Sequence, residues 1–391
     1  MIPAGETLVM QTYARYPVTL VRGRGTRVWD DDGNAYLDFA GGIGALSLGH
    51  AHPSWVDAVS EAASTIGLVS NMFHTAPQAA LAARLAELLP IPEARTFLCN
   101  SGAEAVEAAL KLARRHGLVH GRDRIVSLQG SFHGRTVAAL AATGQPAKRA
   151  PFEPLVDWFD FVPPNDADAL AATVGGRTAA VLLEPVMGEG GVLPLNPAYL
   201  RSARDLCDAH GALLIADEVQ SGSGRCGDWL AISAAGVAPD VVALAKGLGG
   251  GIPIGAVVSR AELAFGPGEH GSTFGGGPVP SAAALATIDV IETEGLLANA
   301  LETGEILRAE LARAVPDATI TGVRGRGLLC GLELAGGLSS RDVALAAIRH
   351  GVLVTEAGPN VVRMSPPLTL APSDAADGAE AIAQALGEVA A

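Results

Sequence analysis

Lysine is nearly absent from this chain. Of 27 basic residues only Lys111, Lys148 and Lys246 are lysine, so positive charge is carried almost wholly by arginine. Cysteine is sparse as well. Cys99, Cys207, Cys226 and Cys330 are scattered, with no C-x-x-C and no histidine at metal spacing. That argues against a disulfide framework or a zinc site and for the reduced thiols of a cytoplasmic protein. No run approaches the ~18 apolar residues that a membrane-spanning helix needs. The N-terminus, Met1-Ile2-Pro3-Ala4-Gly5-Glu6, lacks a basic segment followed by an apolar one, so no secretory signal is expected. There is no internal repeat and no low-complexity linker. A missing G-x-x-x-x-G-K-[ST] disfavours a P-loop nucleotidase. A missing G-x-S-x-G weakens any hydrolase pairing of Ser131 with His133. The net charge of −14 argues against nucleic-acid or anionic-membrane partners, though local arginines can still hold a small anion.

What is present is a globular composition, 49% hydrophobic and 17% charged over 391 residues. That length predicts two domains, one large and one small. Short apolar runs recur at Thr96–Cys99, Ile125–Leu128, Ala179–Leu183, Ala212–Ala216 and Val241–Leu244, and Val257-Val258 extends the series. Runs without polar alternation read as strands buried on both faces, the pattern of a parallel sheet covered by helices. Between them, residues 102–116 place Val106, Leu110 and Ala113 on one helical face, with Glu107 four residues before Lys111. Residues 199–210 repeat the spacing with Leu200, Ala203 and Leu206. The expected fold class is therefore α/β with right-handed crossovers. Residues 18–39 read as a small meander turning at Asp31-Asp32-Gly33-Asn34. Beyond about residue 285, long helices precede Gly327–Glu333 and Val361–Met364. The expected organisation is an N-terminal segment, 1–45, joining a smaller α+β domain at 286–391, around a large domain at 46–285.

Polar residues follow the buried runs. Asn100-Ser101-Gly102-Ala103-Glu104, Phe132-His133-Gly134-Arg135, Glu184, Asp217-Glu218-Val219-Gln220 and Lys246 each come after a strand. Open α/β sheets bind ligands at the carboxyl ends of their strands. Lys246 lies between Ala243-Leu244-Ala245 and Gly247, a setting that disfavours the ammonium form and leaves an amine able to form a Schiff base. A surface turn is the plainer alternative. Ser101-Gly102-Ala103 opens a helix and is either a simple N-cap with Glu104 or a phosphate site. A carboxylate at Asp217 needs a partner: an arginine, a metal for which only Glu218 lies nearby, or a protonated ring nitrogen. Gly222-Ser223-Gly224-Arg225-Cys226-Gly227 matches G-x-G-x-x-G only weakly, because no strand leads directly through it into a helix. Taken together, amine, phosphate cradle, buried acid and the aromatic Phe132 fit pyridoxal phosphate.

The ordered segments Leu48–Pro53, Cys99–Ala105, Ser131–Thr136, Ala142–Pro146, Leu183–Gly191, Asp217–Gln220, Leu244–Gly251 and His270–Gly276 make the chain resemble the class III (subgroup II) pyridoxal-phosphate aminotransferases of fold type I, over nearly its whole length. The resemblance implies that Lys246 binds the cofactor aldehyde and shuttles a proton, and that Asp217 holds the ring nitrogen. It implies that Val219 and Phe132 sandwich the ring, that Gln220 reaches its phenolic oxygen, and that Ser101, Gly102 and Ala103 cradle the phosphate. Thr273 would reach the phosphate of a partner subunit in a homodimer, with Ser272 near the substrate. Arg135 and Arg363 would bind substrate carboxylates, and Glu189 would cover Arg363 when the donor's reacting amine lies at its far end. The implied reaction is ping-pong transfer of an amino group from N-acetylornithine to 2-oxoglutarate, within arginine biosynthesis. The alternatives are ornithine, succinylornithine, 4-aminobutyrate or aminoadipate-semialdehyde chemistry; with the same cofactor and a different reaction, an aminomutase, decarboxylase or racemase; and, on the weak glycine match at 222–227, a nicotinamide oxidoreductase. Departures from the family pattern at Met187, Ser221, Cys226, Gly277 and Pro280 bear on the choice of donor.

Overall fold

The computed structural model describes residues 5–315 and 317–391; Met1–Ala4, on which the expectation about a signal partly rests, lie outside the described residues. Near the N-terminus β1 (Leu20–Arg24), β2 (Arg27–Asp30) and β3 (Ala35–Asp38) form the expected antiparallel meander. Its turn is fastened by Asp30, whose carboxylate accepts from the Asn34 and Asp32 N–H groups and from the Tyr36 hydroxyl.

The central sheet is built from β4 (Ala94–Cys99), β5 (Arg124–Leu128), β6 (Phe159–Val162) and β7 (Thr178–Leu183). After a short hairpin of β8 (Val186–Met187) and β9 (Leu193–Pro194), it is completed by β10 (Leu213–Asp217), β11 (Val241–Leu244) and β12 (Gly255–Arg260). The spatial order is β4-β12-β11-β10-β7-β5-β6. Neighbours pair in parallel except at β12, which runs antiparallel to both β11 and β4. Residues of β7, β10 and β11 are buried throughout, as strands covered on both faces must be. One face packs Leu128, Val181, Leu214 and Val242 against the helices Ala76–Leu88 and Pro197–His210. The other packs Ile125, Ala180, Ile215 and Val241 against the helix Gly102–Leu118.

In that helix Val106, Leu110 and Ala113 are buried as their spacing requires, but the expected Glu107–Lys111 pairing gives way to other partners. Glu107 accepts from the Ala138 and Ala139 N–H groups, 2.9 and 3.2 Å away, at the first turn of the helix Val137–Ala142. Lys111 turns to the Glu269 carbonyl and His270 Nδ1. Bonding the open N–H groups of a helix start outweighs an exposed ion pair, which contributes only ~0.2–0.5 kcal/mol.

Towards the C-terminus β13 (Ile320–Arg326), β14 (Leu329–Leu334), β16 (Thr355–Glu356) and β17 (Val361–Met364) make a second sheet, while β15 (Val352–Leu353) pairs in parallel with β3. Leu37, Phe39 and Leu48 share one apolar cluster with Leu307, Leu332, Val343, Met364 and Ile382. The N-terminal segment thus packs on the C-terminal one. The expected boundary at residue 286 falls inside the helix Pro278–Thr293, whose Ala284 and Ile288 pack on the first core and Val290 and Ile291 on the second. Among the described residues no helix is long and apolar enough to cross a membrane.

Candidate active site

The carboxyl ends of the central strands meet at one edge because the register aligns them. Ala216 of β10 pairs with Leu183 of β7, so Asp217 stands beside Glu184; Asp217 itself pairs with Ala243 of β11, three residues before Lys246. Above this edge lies a cavity of about 420 Å³. Its walls include Ser101, Gly102, Ala103, Phe132, His133, Arg135, Glu184, Glu189, Asp217, Val219, Gln220 and Lys246, with Asn100, Ala45 and Ile252–Ile254 closing it.

Lys246 is half-buried and has φ 44°, a left-handed conformation that costs a non-glycine residue roughly 1–3 kcal/mol and persists only where the surroundings enforce it. Burial pushes its ammonium below the ordinary lysine range and the Arg363 charge adds to this, against the opposing pull of Asp217, Glu184 and Glu189. Asp217 is 4% exposed, and its Oδ2 lies 2.7 Å from His133 Nδ1 while its Oδ1 accepts from the Val219 N–H. The other imidazole nitrogen, Nε2, is buried without a partner. Glu184 accepts from the Phe132 N–H at 2.8 Å and the Gly188 N–H at 3.2 Å, fixing both the loop that carries Arg135 and the hairpin tip that carries Glu189. Burial holds its carboxyl well above the ordinary range. Glu218 points away from the cavity, to the Ser221 hydroxyl and the Ile232 N–H.

The start of the helix Gly102–Leu118 is both cap and cavity wall. Ser101 Oγ accepts the Glu104 N–H, and Glu104 reaches back to the Asn100 N–H. Gly102 and Ala103, in the first turn, have no carbonyl a turn earlier to bond, and both face the cavity. A side chain on Gly102 would bring a Cβ to 2.6 Å from Val219 Cγ1.

Arg363, on β17, is 2% exposed and donates to Glu189 Oε1 and Thr355 Oγ1. Burial alone would raise the Glu189 carboxyl, but the charge and hydrogen bond of Arg363, with Lys148, hold it below its ordinary value. Glu189 lines the cavity and covers Arg363. Arg135 is exposed at the mouth, its guanidinium 5.7 Å from the Phe132 ring centre. Ser272 and Thr273 lie outside this cavity: Ser272 accepts from Asn100 Nδ2, and Thr273 is exposed. Of the departures from the family pattern, Met187 and Cys226 sit in apolar clusters and Ser221 serves Glu218. Gly277 and Pro280 line a separate groove with Leu68 and Phe274. Residues 222–227 form turns from which no α-helix opens, a short 3-10 turn following only at Ala231–Ala235, so the glycine match there is turn chemistry.

Sequence reasoning did not single out His133 as the partner of Asp217, Asn100 as the link to Ser272, or Lys148, whose Nζ lies 3.3 Å from Glu189. The rarity of lysine was the one available signal for Lys148.

A family profile described as aminotransferase class-III matches residues 9–386. The chain is 47% identical to the acetylornithine aminotransferase of Thermosynechococcus vestitus over 99% of its own length and 97% of the relative's. It is 45% identical to that of Methanopyrus kandleri over 97% and 95%. Among solved structures it is similar to an ornithine aminotransferase from Toxoplasma gondii, described as carrying partial PLP occupancy at its active site. That match has a TM-score of 0.94 and 34% identity, covering 99% of this chain and 93% of that one. It is also similar to an acetylornithine aminotransferase from Elizabethkingia anophelis, with a TM-score of 0.86 and 32% identity over 98% and 97%.

Proposed function

The chain belongs to the class-III aminotransferases, enzymes that use pyridoxal phosphate to move an amino group from a small amine donor to a keto acid, and from that premise we propose that its donor is N-acetylornithine and its acceptor 2-oxoglutarate. The observation that carries this is the pair of carboxylate sites. Arg135 stands open at the mouth, and Arg363, whose charge acts on Lys246, is covered by Glu189. A donor whose reacting amine lies far from its single carboxylate needs only Arg135, and an uncovered Arg363 beside its amine would repel it. An acceptor whose reacting carbonyl adjoins one of two carboxylates needs both arginines. Arginine's planar fork suits a carboxylate bidentately.

The cavity fits the cofactor. It is kept open at Gly102 by the absence of a side chain, bordered by the Phe132 ring and the Val219 methyls, and floored by a buried acid next to an imidazole with an unsatisfied nitrogen. Ser101, Gly102 and Ala103 would hold the phosphate, Asp217 the ring nitrogen, and Gln220 the phenolic oxygen. Bound there, pyridoxal phosphate supplies an aldehyde that captures amines and a ring that withdraws electrons. The protein does the rest. Lys246 Nζ, eased towards the neutral amine by burial, would take up the proton leaving the substrate carbon and hand it back. His133 orients Asp217. Arg135 and Arg363 would orient the substrate, with Glu189 choosing between substrate types.

Assembly as a homodimer with shared sites is supported by the exposed apolar side chains of Leu68, Met72, Phe73 and Phe274, and by the position of Thr273 outside its own chain's cavity. Four buried free thiols support a reducing compartment, the cytoplasm. A donor panel with 2-oxoglutarate held fixed, followed by glutamate formation, tests the assignment. N-acetylornithine should give the highest kcat/KM. Better turnover of ornithine, succinylornithine or 4-aminobutyrate moves the assignment to that donor, and turnover without 2-oxoglutarate removes transamination.

A further inference from the structure

Glu189 has two cationic partners. Its Oε1 accepts from the buried Arg363, and its Oε2 lies 3.3 Å from Lys148 Nζ. The two differ in setting: Arg363 is 2% exposed, and the Lys148 side chain, on the short helix Pro146–Arg149, is 25% exposed. Lys148 also lies over Phe132, a residue of the cavity wall, with its ammonium 4.6 Å from the ring centre. A carboxylate that gives up its arginine in a partly enclosed site must find another cation or bear the desolvation cost alone.

We propose that Lys148 is a specificity-determining residue that retains Glu189 when a second substrate carboxylate takes Arg363. Resting on the two-carboxylate acceptor proposed above, this assigns Lys148 to the dicarboxylate half of the reaction. With Arg363 as partner, Glu189 stays paired whether or not Lys148 is present. Once Arg363 is taken, Lys148 is the cation that remains at hydrogen-bond distance from Glu189, Lys246 acting on it through charge without a hydrogen bond. Removing Lys148 therefore destabilises the open arrangement more than the covered one, and it weakens dicarboxylates more than monocarboxylates.

The test uses the holoenzyme and two unreactive probes, glutarate with two carboxylates and pentanoate with one, measured by calorimetric titration. Lys148→Met keeps the apolar stem over Phe132 and removes the charge. It should weaken glutarate by about threefold to tenfold and change pentanoate by less than about twofold, and Lys148→Arg should restore glutarate affinity. In a Glu189→Gln background, where no carboxylate needs holding, Lys148→Met should change glutarate affinity by less than about twofold. An unchanged glutarate affinity overturns the proposal. So does an equal loss for both probes, or the same loss in the Glu189→Gln background, which would mean that Lys148 acts on the ligand directly. Because neither probe reacts, these results stand apart from the identity of the donor.

Discussion

Gly102→Ala isolates the cofactor cradle from the rest of the fold. The new Cβ would lie 2.6 Å from Val219 Cγ1 and 3.1 Å from Cγ2, against an ordinary carbon contact of ~3.5–4.0 Å. Val219 must then move by about 1 Å. Overpacking of this kind costs ~1–3 kcal/mol, a factor of about 5 to 150 in an equilibrium constant. The helix itself does not suffer, since alanine is favoured over glycine in a helix by up to ~1 kcal/mol. Val219 lines the open cavity and has room to give way in the cofactor-free protein, so the strain should appear chiefly when the cofactor refills that room. Titrating pyridoxal phosphate into cofactor-free wild type and variant, followed by absorbance, should show the weaker binding, while the melting temperature of the cofactor-free proteins stays within a degree or two. Adding Val219→Ala, which removes both clashing methyls, should recover part of the affinity. Unchanged affinity in Gly102→Ala, or a loss that Val219→Ala does not relieve, would refute the packing argument.

Burial raises Glu218 from an ordinary 4.5 to about 7 despite the bonds from Ser221 and Ile232. A carboxyl whose folded value is raised contributes stability below pH 4.5 that is lost as pH climbs to 7, here about 3 kcal/mol. Glu218→Gln keeps the shape, accepts from the Ile232 N–H and can donate to the Ser221 hydroxyl, so by calorimetry it should raise the melting temperature by a few degrees at pH 8 and by less than half as much at pH 5.5; an equal shift at both values would contradict the buried-charge cost. Asp217→Asn leaves the cradle intact while removing the carboxylate that His133 orients. It should retain cofactor binding and lower kcat by about 10² to 10³, and a variant within tenfold of wild type would detach Asp217 from the chemistry.

The central strands were legible because burial on both faces leaves continuous apolar runs. β6 was not: at the sheet edge, Phe159 and Val162 are buried while Asp160 reaches out to Arg124, so its four residues carry no unbroken run. The reversed direction of β12 could not be read either, since an apolar run has no polarity of its own. β13 is interrupted by Gly322, Gly325 and two arginines, one bonded to Glu333 and the other to Asp228. In the site, Lys246, Asp217 and Glu184 were legible as polar ends of buried strands. The contact of His133 with Asp217 spans 84 positions, and that of Lys148 with Glu189 spans 41, so only the fold reveals them. Ala45 and Ile252–Ile254 are apolar loop residues whose types announce no site.

The scarcity of lysine makes the most direct test unusually clean. Borohydride reduction of the holoenzyme attaches the cofactor irreversibly to whichever amine holds it, and there are three lysines to choose among. Peptide mapping should find the label on Lys246 alone, with loss of the visible absorbance and of all turnover. Label on Lys111 or Lys148, or a Lys246→Ala protein that still transaminates, would contradict the role of Lys246.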